Sequence, residues 1–260
     1  MLKGRKIATL AAVLVLSASL AQAETINLAT GNSGSAAAAI GGTYQAIWVD
    51  TQSTGTGVID SFLRIQANGD EQGYNTSAGT PMDTVPGNFT RSIQLSAIPV
   101  VTIGGTQYRE FLLDVNQQGA DPLISLNQVQ IFLSAAQAPV NLAASGTPPI
   151  LVFPGATEVF RMSGAGALAD DIILDASRNS GSGSGDMFLY VLNSQFTGAA
   201  TQFVTLYSQF GEPGNDSNAG FEEWAVREGT APPVPEPTSL ILLGLGFMGV
   251  AVAARARTRR

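Results

Sequence analysis

The chain has 260 residues, 45% of them hydrophobic and 13% charged, with 20 Asp and Glu against 13 Lys and Arg and a net charge of −7. It contains neither cysteine nor histidine, which excludes a disulfide framework and removes the usual zinc ligands, the commonest general base and the hydrolase triads. An acidic surface repels nucleic acid, so no nucleic-acid partner is expected.

In chain order, Lys3, Arg5 and Lys6 form a basic leader, Ile7 to Leu20 an apolar run, and Ala21-Gln22-Ala23 a small-x-small cleavage site. Residues 1–23 therefore read as a secretory signal peptide cut after Ala23, with Glu24 opening the mature chain. Three of the basic residues lie in this leader and four at the far C-terminus. The span 24–237 keeps six arginines (Arg64, Arg91, Arg109, Arg161, Arg178 and Arg227) against all twenty carboxylates, a net charge of −14. Such a surface attracts cations and resists aggregation; solubility alone is the simpler account of it.

Glu24 to Ile40 reads as a strand start and a loose loop. Tyr44 to Val49 alternates with period two and predicts a strand, as does Val58 to Gln66 after the turn chemistry of Thr51 to Gly57. Ala67 to Asn88 reads as a long polar loop, longer than ordinary connections. Arg91 to Ser96 places Ile93 and Leu95 inward. Ile98 to Ile103 passes Pro99 and predicts an edge strand or bulge. Gly104-Gly105 predicts a two-residue hairpin into Tyr108 to Val115. Further short strands are expected at Leu123 to Leu126, Gln128 to Leu133, Ile150 to Phe153, Glu158 to Met162, Asp170 to Leu174, Asp186 to Leu192, Gln202 to Tyr207 and Phe221 to Val226, with Phe203 and Tyr207 in the core. Ala135 to Pro149 and Gly211 to Gly220 read as connections.

No helical period is sustained between the two ends. About ten short strands at roughly ten-residue spacing predict an all-β domain over 24–229, a single antiparallel β-sandwich of jelly-roll or immunoglobulin-like type.

Three stretches carry candidate chemistry. Asp175, Asn179 and Asp186 flank a Gly/Ser run and could supply oxygens to calcium, which takes six to eight of them; the alternative is a flexible hairpin, and the spacing matches no standard calcium loop. No other cofactor is expected. Asn68 to Asn75, with Tyr74 exposed, would suit sugar stacking; the alternative is a solvated loop. Glu222-Glu223-Trp224 places paired carboxylates beside an aromatic, but neighbours on a strand face opposite ways and cannot flank one glycosidic bond.

The linker and tail occupy 230–260. Pro235-Glu236-Pro237 is followed by an uncharged run, about 238–254, that just reaches the ~17 residues of a short spanning helix. Arg255, Arg257, Arg259 and Arg260 close the chain and are expected on the cytoplasmic side. Read alone, this is a C-terminal anchor. The order and spacing of motif, Gly-rich apolar run (Leu243-Gly244-Leu245-Gly246) and arginine cluster resemble the PEP-CTERM sorting signal of Gram-negative bacteria. The resemblance covers about the last tenth of the chain. It implies transient residence in the inner membrane, cutting near the Pro-Glu-Pro by an exosortase-type membrane enzyme, and delivery to the cell surface or beyond.

Three function classes follow. The first is a non-enzymatic surface or matrix protein; the resemblance implies a biofilm setting and exopolysaccharide as a partner. The second is a carbohydrate-binding module. The third, a polysaccharide hydrolase or lyase, is disfavoured by the missing His, by the lack of Lys between 24 and 237, and by the lack of convergent carboxylates. Exposed aromatics on one sheet face would separate the second from the first.

Overall fold

The computed structural model describes residues 25–49, 59–117, 121–163, 171–179, 185–211, 214–218 and 220–227. The leader with Ala21 and Ala23, the Pro235-Glu236-Pro237 motif, the apolar run and the arginine cluster lie outside these residues.

The described residues are built from strands, with two single turns of 3₁₀ helix at Leu95–Ala97 and Asn193–Gln195. In chain order the strands are β1 (Thr25–Asn27), β2 (Ser33–Ala37), β3 (Thr43–Trp48), β4 (Ile59–Ile65), β5 (Asn68–Gly69), β6 (Glu71–Tyr74), β7 (Ile93–Gln94), β8 (Val100–Ile103) and β9 (Thr106–Asn116). They continue with β10 (Leu123–Ser134), β11 (Ala144–Ser145), β12 (Ile150–Leu151), β13 (Thr157–Arg161), β14 (Asp171–Asp175), β15 (Met187–Leu192), β16 (Phe203–Phe210), β17 (Ser217–Asn218) and β18 (Phe221–Arg227).

Eight of them lie as a ribbon folded back on itself. β4 pairs with β18, β6 with β16, β9 with β15 and β10 with β14, all antiparallel. Pairing of β18 with β9 and of β16 with β10 gathers the ribbon into two sheets, ordered β4-β18-β9-β15 and β6-β16-β10-β14. β3 and β2 extend the first sheet beyond β15, and β1 extends the second beyond β14 through a parallel pairing. The chain crosses between sheets at β1 to β2, β4 to β6, β7 to β8, β9 to β10, β14 to β15, β15 to β16 and β16 to β18.

Both sheets bury their inner faces in one core. Ile65, Phe111, Leu113 and Trp224 from the first meet Ile131, Ile172, Leu206 and Phe210 from the second. The Tyr44 ring stands edge-on to Phe160 at 5.5 Å, and the Trp224 indole N–H donates to Ser208 Oγ across the sheets at 3.0 Å. Period two produces this packing directly: Phe111, Leu113 and Val115 point inward from β9.

Gly104 and Gly105 have φ of +56° and +84°, the pair of left-handed residues that a type I′ hairpin requires, and β8 does pair with β9 alone. β10 is one strand where two are expected. A bulge at Leu126/Gln128 absorbs Asn127 and returns the phase, so Ile124 and Leu126 before it and Val129, Ile131 and Leu133 after it all reach the core.

Two expectations need correction. Ala67 to Asn88 is not one solvated loop, because β5 and β6 lie within it and Tyr74, Asn75 and Thr76 are buried. Asn75 extends the ladder with its side chain: Oδ1 accepts from Leu206 N at 2.7 Å and Nδ2 donates to Val204 O at 3.0 Å. Phe203 is half-buried rather than in the core. Val204 and Leu206 take the inward phase of β16, which turns Phe203 and Tyr207 to the other face; there Tyr207 is buried in a second cluster with Tyr74, Phe132, Ala138 and Leu151.

Produced without leader and tail, residues 24–230 should be soluble, with a circular dichroism spectrum dominated by β-structure. A helix-dominated spectrum would contradict the fold.

Candidate functional site

The sorting-signal residues Pro235, Glu236, Pro237, Arg255, Arg257, Arg259 and Arg260 lie outside the described residues. Among the described residues no helix is long and apolar enough to cross a membrane. The geometry that can be read belongs to the β domain.

The Asp175–Asp186 stretch carries the chain from β14 to β15, from the second sheet to the first. Asp175 Oδ1 accepts from Ser177 N at 2.9 Å and Ser177 Oγ at 2.6 Å, closing its own turn. Asn179 Nδ2 donates to Val49 O and Gly185 O. Asp186 is 1% exposed; its Oδ2 accepts from Val115 N at 2.7 Å. Burial pushes the Asp186 carboxyl well above the usual range, and the nearby Asp114 and Asp175 carboxylates add to that. Asn179 Oδ1 and Asp186 Oδ1 are buried without a hydrogen-bond donor. Among the described residues no group of three or more Asp, Glu, His or Cys is arranged to hold a metal ion.

The Asn68–Asn75 stretch does not present a sugar platform. Tyr74 is fully buried, its hydroxyl donating to Pro139 O at 2.7 Å and accepting from Leu142 N at 3.1 Å. Tyr74 thus supports the segment after β10 from below. Above it lies an open groove of 420 Å³ whose lining includes Pro139, Asn141, Leu142, Phe153 and Pro154. The sequence reading treats Ala135 to Pro149 as a connection; its prolines, with Val152-Phe153-Pro154, were the available signal for this groove.

Glu222 and Glu223 diverge, as strand alternation requires. Glu223 faces outward, where Ser61 Oγ donates to it at 2.6 Å and Arg64 pairs with it at 2.9 Å. Arg64 is itself stacked against the rings of Phe89 and Phe221, at 3.4 and 4.3 Å. Glu222 faces inward and is fully buried beside Glu71 of the opposite sheet. Sequence reasoning missed this partner, because the two residues lie far apart in the chain. Gln117 Nε2 donates to Glu222 Oε1 and Ala67 N to Glu71 Oε2, both at 2.7 Å. Burial raises both carboxyls above the usual range. The two carboxyls act on one another and are sealed from solvent. A glycosidase needs its carboxyls ~5 Å or more apart around an accessible bond, so this pair has no room for a substrate.

Two wider features bear on ligand binding. All five tyrosines and both tryptophans are buried. All six arginines of the domain are engaged internally. Arg64, Arg91, Arg161 and Arg227 pair with Glu223, Asp60, Glu158 and Glu110. Arg109 donates to Leu95 O, Ile98 O and Asn193 Oδ1. Arg178 donates to Leu28 O, Gly31 O and Asn32 Oδ1.

Compared with known proteins, residues 233–260 match the family described as the PEP-CTERM protein-sorting motif. No curated protein and no solved structure matches the chain. The C-terminal tail therefore carries a recognised sorting motif, and that motif covers only the tail.

Replacing Arg64 with Ala strands the buried Glu223 carboxylate, and a broken buried pair costs ~3 kcal/mol. Denaturant unfolding should register that loss. Arg64→Met combined with Glu223→Leu should recover most of it.

Proposed function

We propose that the chain is exported, sorted by an exosortase-type membrane enzyme after transient residence in the inner membrane, and delivered to the cell surface or extracellular matrix. There its β domain acts without catalysis, through bulk, charge and adhesion, in association with exopolysaccharide or biofilm. The sorting half of this reading rests on the motif at 233–260. The non-catalytic half rests on the domain itself. Its Tyr and Trp side chains are all inside, its arginines are all engaged, and its paired glutamates at 222 and 223 diverge. Of the two sandwich types expected, the eight-strand ribbon favours the jelly roll.

The groove above Tyr74 favours carbohydrate binding as a second reading. Pro139, Phe153 and Pro154 offer apolar faces, and Asn141 offers a polar group. Binding of residues 24–230 to a glycan array, abolished by Phe153→Ala, would favour that module over the adhesive role. Failure of the full-length protein to be processed would count against the sorting role. In the native host, mass spectrometry should find Glu24 at the start and nothing beyond about Pro237. An intact C-terminal run in mature protein would reduce the tail to a permanent anchor.

Calcium enters this reading at Asp175, Asn179 and Asp186, where two buried oxygens lack donors and where carboxylate and amide oxygens are the ligands calcium takes. Saturating calcium should raise the melting temperature by a few degrees, the consequence of ~2.7 kcal/mol at a hundred times the dissociation constant. Magnesium at equal ionic strength should not do so, and Asp175→Asn/Asp186→Asn should lose the shift. Equal action of the two ions would remove calcium from the reading.

A further inference from the structure

Glu71 opens β6, the edge strand of the second sheet, and Glu222 lies on β18 inside the first. Both side chains are fully buried. The fold brings two donors to each carboxyl: Ala67 N and Ser217 meet Glu71, and Gln117 Nε2 and the Asn116 backbone meet Glu222. The remaining two oxygens, Glu71 Oε1 and Glu222 Oε2, have no donor from the protein. The two carboxyls nevertheless lie close enough to perturb one another.

Among the described residues the surroundings offer no countercharge. Every arginine of the domain has partners elsewhere, and there is no Lys between 24 and 237 and no His anywhere. A further charge, Asp83, whose Oδ2 accepts from Gln72 N at 2.9 Å, repels Glu71. Glu223 and Asp114, on the neighbouring strand positions, face the opposite side of the sheet with Arg64, Asn116 and Asp186. Two ionised carboxylates in contact inside protein are strongly disfavoured; one shared proton satisfies both orphan oxygens at once.

We propose that Glu71 and Glu222 share one proton and form a pH-sensitive clasp between the two sheets, closed at acid and neutral pH and released when the proton is lost at alkaline pH. Glu222 Oε2 donates to Glu71 Oε1, which leaves every oxygen of the pair satisfied. Loss of the proton leaves two adjacent buried charges. They are relieved when β6 and the small β5–β17 pairing beside it move away from β18 and admit water. The rest of the second sheet does not depend on β6, which is an edge.

The sign follows from linkage. Unfolded, both carboxyls ionise near the ordinary glutamate value of 4.5. Folded, the pair keeps a proton above it. The folded state then binds more protons, and stability falls as pH rises through that window. One retained proton changes the unfolding equilibrium about tenfold per pH unit.

The test uses the full-length protein in detergent. Hydrogen exchange, corrected for the intrinsic pH dependence, should show protection at Ala67 and Glu71–Tyr74 falling with rising pH while β10 stays protected. Glu222→Gln puts an amide donor where the proton sits and should keep that protection at alkaline pH; Glu71→Gln should do the same from the other side. Equal loss of protection in wild type and in both variants would overturn the clasp, as would no loss in wild type. Carboxyl carbon NMR of the wild type is decisive without any variant. One glutamate should remain protonated at neutral pH, and a spectrum with every glutamate ionised there would overturn the shared proton.

Discussion

Scarcity of positive charge is the constraint on which this domain depends. Six arginines face nineteen carboxylates between residues 24 and 229, with no lysine or histidine to help. Four arginines go to Glu110, Glu158, Glu223 and Asp60, and two hold backbone carbonyls around the 3₁₀ turn at Leu95–Ala97 and the segment after β1. Carboxyls buried beyond that supply must be neutral or capped by N–H groups. Asp186 leans on Val115 N and Asp114, and Glu71 on Ala67 N and Glu222. A buried charge without a partner is among the costliest defects a fold can carry, so Arg64 and Arg227, which pair with the buried Glu223 and Glu110, act as fixed points of the architecture.

The folded ribbon decides where these points fall. Because β9 and β18 are neighbours, Asp114 and Glu223 lie side by side in register, and Arg64 follows on β4. Because β6 and β18 belong to opposite sheets, Glu71 and Glu222 meet only through the core-facing side. The same wind buries Tyr74 under the segment after β10 and makes it a support for the groove that its own stretch was expected to form.

Much of this was legible in the chain and some was not, for physical reasons. Tyr44 to Val49 and Tyr108 to Val115 alternate cleanly, since one face of each is apolar, and both strands formed where expected. The tail motif is read by linear spacing alone, so no folding knowledge was needed to see it. β6 was invisible: its residues are Glu, Gln, Gly and Tyr, and its burial comes from hydrogen bonds and contacts supplied by distant segments. The bulge at Asn127 looked like a break between two strands because a phase change and a chain break leave the same mark on an alternation pattern. Glu222 was singled out, but its partner could not be, since nothing local links positions 71 and 222.

The position of β18 has a mechanical meaning. The tail leaves the domain from Arg227, the end of a strand held between β4 and β9. Tension applied through that end runs along the strand and at right angles to its hydrogen bonds. Both flanking ladders are then loaded together, in shear, instead of opening one bond at a time like a zip. A domain tethered by this end resists drag with its two ladders at once, and its lifetime under flow is set by the rate at which they fail.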